Sequence, residues 1–139
     1  MTQRLDERTF CALLLALGAA QIGLFAWMVV SPSTFFNAIA DFGPLSTHDI
    51  RDAAIFPLAV SVGLLVSVRL PLWRVPALAI TVIWYIAHAV NHLVDIGDAD
   101  PGWIGPFDFV ALLSTGALLV WLAFVAHGRN SSRPPGNEN

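Results

Sequence analysis

The chain has 139 residues, of which 56% are hydrophobic and only 12% charged, with a net charge of −3. A soluble domain of this size buries only about two thirds of its surface, so this much apolar side chain would leave adhesive patches in water. Acids outnumber the seven arginines and lysine is absent, which excludes the basic surface that nucleic-acid binding needs.

The first apolar run covers 10–30, near the ~20 residues that a helix rising ~1.5 Å each needs to cross ~30 Å of hydrocarbon. Gly18, Ala19 and Ala20 resemble the end of a cleavable signal, but the run continues to Val30, so a retained span is predicted. Ala12, Ala16 and Ala20, with Ala19 and Gly23 beside them, offer a small-residue stripe for close helix approach. Cys11 is the only cysteine; it rules out an intrachain disulfide and is expected to pack as a small hydrophobe. After Pro32, the residues Phe35, Phe36, Ile39 and Phe42 recur at helical spacing, the pattern of a short amphipathic helix lying on the outer membrane surface.

The second span is predicted over 48–68. Its purely apolar part, from Ala53, is too short to cross hydrocarbon, so the helix must begin earlier. Ser46 or Thr47 is the natural N-cap and Asp49 complements the positive helix start, which sets His48, Arg51 and Asp52 on the first turns. Pro57 is expected to kink this helix. Pro71 and Pro76 bracket the turn between Arg69 and Arg74 before a third span over 75–95. On that span Trp84, Tyr85, His88, Asn91, His92 and Asp95 fall within an arc of about 120° at ~100° per residue, so the stripe should face the bundle interior. Pro101, Gly102, Gly105 and Pro106 separate it from a fourth span over 107–126. Asp108, sharing a face with Leu112 and Thr115, is read as starting that helix and no more. The tail over 128–139, rich in Ser, Pro, Gly and Asn, is expected to be disordered, leaving 1–127 as one domain.

Arginines set the orientation. Arg4, Arg8, Arg69, Arg74, Arg129 and Arg133 share one side; Asp41, Asp49, Asp52, Asp95, Asp98, Asp100 and Asp108 share the other with Arg51 alone. The positive-inside rule then predicts cytoplasmic N- and C-termini in a cell inner (plasma) membrane. The expected fold is all-α, a four-transmembrane-helix bundle running up-down-up-down with a short surface helix between the first two spans. No internal repeat is evident, which argues against an inverted-repeat transporter within one chain.

Counted up from the arginine side of straight helices, Asp52, His88, His92 and Asp108 all lie at about 20–27 Å, with Gln21 at about 17 Å. The predicted ligand-binding set is therefore His88, His92, Asp95, Asp52, Arg51, Asn91, Tyr85, Trp84 and Gln21, with Arg51 neutralising Asp52 or Asp95. Three chemistries stand open for this layer. His88 and His92 at i and i+4 with Asp95 have the donors of a divalent metal site, although no glutamate lies between them as hydrolytic zinc helices require. A haem would need His48 or another chain, because one face of one helix cannot supply both axial ligands. Alternatively, the histidines and Asp52 exchange protons around a quinone, lipid or sterol-like molecule walled by Trp84, Tyr85, Trp27 and Trp103. In the third reading the layer only fixes helix register or docks a partner in a homo-oligomer or larger membrane complex.

The four-span layout, the turn between Arg69 and Arg74, and the stripe of His88, Asn91, His92 and Asp95 resemble the small bacterial membrane proteins grouped as DoxX-like. The resemblance covers most of the chain and rests on architecture. It implies a four-helix membrane fold and, since some of that group are associated with quinol-linked redox systems, an accessory role in a redox or lipid process. It carries no catalytic residue onto this chain.

Overall fold

The structure, a computed structural model, describes residues 5–131; Arg4, Arg133 and the rest of the expected tail lie outside the described residues. Four long helices form: α1 (Glu7–Val30), α3 (Thr47–Arg69), α4 (Arg74–Val94) and α5 (Ile104–Ser131). Between the first two sits α2 (Pro32–Phe35), continued by a π-helical turn over Phe36–Ala40. All four long helices are apolar and long enough to span a bilayer, and only 22–33% of each apolar stretch is buried inside the bundle. The remainder, including Ile55, Val62, Ile83, Val110 and Phe124, faces outward. This is a multi-pass membrane protein whose outer surface needs lipid as solvent.

Polar side chains cap two of the helices, one of them at an expected position. Asp6 caps α1, its carboxylate accepting from the Thr9 hydroxyl at 2.6 Å and the Thr9 amide at 2.9 Å. Those bonds, the hydroxyl's first, hold the Asp6 carboxyl below its ordinary range. Ser46 caps α3 by accepting from the Asp49 amide at 3.3 Å. Hydroxyls inside the spans are satisfied by their own helices: Ser61 bonds the Leu58 carbonyl, Ser67 that of Gly63, and Thr81 that of Ala77.

Boundaries differ from the expected ones where caps and loops override hydropathy. Helix α4 stops at Val94 with Asp95 as its C-cap, and α5 starts three residues before the expected 107. It also runs to Ser131, so 128–131 of the expected disordered tail is helical. The small-residue stripe of α1 faces outward at Ala12, Ala16, Ala19 and Ala20, and Gly23 meets nothing. Close approach occurs instead at Gly18, where a Cβ would stand 3.0 Å from Leu65 of α3.

Packing is uneven along the bundle axis. Helix α1 lies along α3 and α4 along α5, whereas α3 and α4 touch only briefly. The two pairs are joined through one core at the end bearing Arg74, built from Phe10, Leu14, Leu64, Leu78, Leu119 and Leu122. Lipid is as apolar as these side chains, so what joins the pairs here is close van der Waals packing rather than withdrawal from water.

An ionic latch closes the same end. Arg74 is buried, donating to Glu7 at 2.6 Å and to the Ser67 carbonyl at 3.1 Å. Arg129 of α5 also bonds Glu7 and the Leu5 carbonyl, and both guanidinium groups lie over the Phe10 ring, at 5.1 and 4.7 Å. Cys11 sits beside this group rather than among apolar neighbours alone, 3.6 Å from Arg74 and 3.5 Å from Glu7. Glu7 thus ties α1 to α4 and α5.

Candidate functional site

With the two helix pairs clamped at the Arg74 end, their opposite halves enclose a cavity of about 510 Å³. Every major element contributes to it. Gln21, Leu24 and Met28 come from α1; Asp49, Ile50, Ala53 and Pro57 from α3; Asp108, Ala111, Leu112 and Thr115 from α5. Helix α4 supplies the whole predicted stripe: Trp84, Tyr85, His88, Asn91, His92 and Asp95. The expected surface helix is a roof as well, since Phe35, Ile39 and Phe42 turn toward the cavity. Beyond it the chain turns at Gly43 (φ 147°), a left-handed conformation that favours glycine, and the Asp100 amide donates to the Asp41 carbonyl at 3.0 Å. That bond ties the connection after α4 to the roof.

A ladder of rings runs up one wall. Phe56 stacks on Trp84 with centroids 4.3 Å apart, Trp84 stacks on His88 at 4.4 Å, and Phe42 meets His92 edge-on at 4.7 Å. The Nε2 atoms of His88 and His92 share a hydrogen bond of 3.3 Å. His92 Nδ1 is buried, has no hydrogen-bond partner among the described residues, and stands 3.7 Å from Asp108 Oδ2. Across the cavity floor, buried Gln21 donates to the Tyr85 hydroxyl at 2.5 Å, joining α1 to α4.

Two members of the predicted set fall outside. Asp52 points away and pairs with His48 at 3.4 Å, both side chains well exposed. Arg51 reaches the Val29 carbonyl at 3.5 Å instead of Asp52 or Asp95. The cause is helical phase: at ~100° per residue, the face bearing Asp49, Ile50, Ala53 and Pro57 turns Arg51 and Asp52 outward. Their place is taken by Asp108, which the sequence reading treated as a helix start; it is 8% exposed and walls the cavity. Its companions on one face, Leu112 and Thr115, line the cavity too, and that shared face was the available signal. Trp27 is engaged by Thr34 at 2.8 Å and Trp103 by Phe107; the aromatic walls come from Phe35, Phe42 and Phe107 with Trp84 and Tyr85.

Among the described residues no group of three His, Cys, Asp or Glu side chains is placed to hold a metal ion. His88, His92 and Asp95 all line the cavity, yet they do not converge as a three-donor set. Helix α4 ends at Val94, and Asp95 leaves the helical face as its C-cap. What the geometry assembles is a mostly apolar chamber with a few polar groups on opposite walls, the usual character of an organic-ligand site.

No family model, no curated protein and no solved structure matches the chain, so the reading of the site rests on its own geometry.

Proposed function

We propose that this chain is a bacterial-type inner-membrane protein that binds a small amphipathic organic molecule in the cavity between its helix pairs, as an accessory to a redox or lipid process. Both termini are cytoplasmic in this reading, because Arg8, Arg69, Arg74 and Arg129 share the latched end while the aspartates cluster at the cavity end. The cavity then opens toward the outer leaflet. One observation carries the proposal: a chamber of about 510 Å³, apolar over most of its wall, with His88, His92, Asp108, Gln21 and Tyr85 spaced around it. That volume lies in the ~300–1,000 Å³ range of small-molecule pockets. The DoxX-like resemblance is in keeping with such a role.

Native mass spectrometry of the full-length protein, released gently from detergent, tests it. A stoichiometric organic adduct is expected in wild type and lost when Ala111→Trp fills the chamber from the α5 wall. An adduct retained at full occupancy in that variant, or none in protein isolated from its native membrane, overturns it.

A second reading is favoured by the contacts between polar groups of different helices, Gln21 with Tyr85 and His92 with Asp108. In it the layer fixes helix packing or docks another membrane subunit, and His88→Ala and His92→Ala lower stability with no adduct present in any form.

A further inference from the structure

We propose that the occupant of the cavity is an organic cation, an amine or quaternary onium group carried on an apolar body; this rests on the reading of the cavity as a small-molecule site. The central observation is Asp108. This carboxylate is only 8% exposed, lines the chamber, and makes no hydrogen bond among the described residues; His92 Nδ1 stands 3.7 Å from it. A carboxylate withdrawn from water needs a counter-charge, and among the described residues no guanidinium pairs with it, which leaves the imidazole of His92 as its ionisable neighbour.

The remaining walls select the same class. Asp49 and Asp95 also line the chamber, and none of its lining residues is an arginine; lysine is absent from the chain. Arg51, the one arginine at this end, is exposed and turned to the Val29 carbonyl. A fatty acid or a phosphate headgroup would therefore meet carboxylates with no arginine or lysine in the lining to offset them. Phe35, Tyr85 and Phe107 present rings to the interior, and ring faces attract diffuse cations. An inorganic cation is the poorer fit, because no three-donor set assembles, whereas an onium group needs one carboxylate and aromatic contact. Asp41, Asp98 and Asp100 in the flanking connections make the approach electronegative as well, which concentrates cations at the entrance.

Three probes separate the possibilities: tetraphenylphosphonium and tetraphenylborate, of nearly the same shape and opposite charge, and the smaller, neutral triphenylphosphine oxide. Equilibrium dialysis against the full-length protein in lipid nanodiscs, with empty nanodiscs subtracted, reads saturable binding. Tetraphenylphosphonium is expected to bind one per chain and at least about tenfold more tightly than the oxide, with no saturable borate binding. Asp108→Asn should weaken tetraphenylphosphonium by about tenfold or more while changing the oxide by less than about twofold. If that variant does not fold, the ranking of the three probes on wild type decides alone. Oxide binding as tight as phosphonium, or an unchanged phosphonium affinity in folded Asp108→Asn, overturns the cationic assignment and leaves the cavity reading standing. Saturable binding of none of the three overturns both.

Discussion

Gly105 offers a sharp test of how the cavity wall is held. A Cβ at this position would stand 2.2 Å from the Ile96 carbonyl oxygen and 3.0 Å from its carbon, where ordinary contact begins at 3.4 Å. The obstacle is backbone, so Gly105→Ala must push the start of α5 from the end of α4 by about 1 Å, a displacement that overpacking studies put at roughly 1–3 kcal/mol. The upper end is expected here. Ile104, next door and fully buried, is dragged along. Asp108 lies one turn further on, so the same displacement widens its 3.7 Å approach to His92. Gly97 and Gly102 of the same connection are the internal controls, since a Cβ at either meets nothing within 4 Å. Alanine at those two sites should be neutral or stabilising by up to ~1 kcal/mol through loss of unfolded-state freedom. Unfolding in an SDS titration, followed by tryptophan fluorescence of the purified variants, should place Gly105→Ala about 2–4 kcal/mol below both controls. Equal midpoints for all three variants would refute the close approach, and with it the account of how Asp108 is aimed.

Three further outcomes follow from the packing. Glu7→Gln removes the counter-charge that buried Arg74 meets among the described residues; with the Glu7 side chain 60% exposed, water screens much of the pair, and a loss of about 1–2 kcal/mol in the same titration is expected. A double-mutant cycle of Gln21→Leu and Tyr85→Phe should return a coupling of about 0.6 kcal/mol and no more than ~1.7, the range for hydrogen bonds between membrane helices; zero coupling would deny the bond between α1 and α4. Trp84→Ala breaks the stack between Phe56 and His88, and for a half-buried ring a loss of about 1–3 kcal/mol is expected, measured against Trp121→Ala on the outer face.

The spans were legible because hydropathy over some twenty residues is a sum of many small terms, and no local feature reverses it. The interior face of α4 was legible for the same reason: six polar or aromatic residues share one arc of an otherwise apolar helix, and all six line the cavity. Rotation of α3 was not. Its first turns carry His48, Asp49, Arg51 and Asp52 in nearly every direction, so polarity alone does not say which one lines the cavity; in the structure it is Asp49. Asp108 was misjudged because a helix starting at 107 puts it in the first turn, a sufficient local reason for an acid; α5 starts at Ile104, which sets Asp108 in the second turn and near His92. The latch was hidden similarly, for Arg74 satisfied the charge rule for topology while its burial against Glu7 and Phe10 depends on contacts about sixty residues apart.

The two ends of the bundle account for each other. Four helices of nearly equal length could close along their whole seam only if the facing side chains were matched throughout, and here they are matched at one end alone. Near Arg74 the facing positions are Phe and Leu with a shared ionic tie, which draws the pair α1 and α3 against the pair α4 and α5. Toward Asp108 the facing positions are imidazole, carboxylate, amide and phenol, groups that cannot be buried against leucine without losing their partners. A chamber with a roof is the arrangement that leaves those groups neither in lipid nor pressed into a dry core. The polar layer is therefore the reason the cavity exists, and it sets carboxylates there with no arginine or lysine among the lining residues.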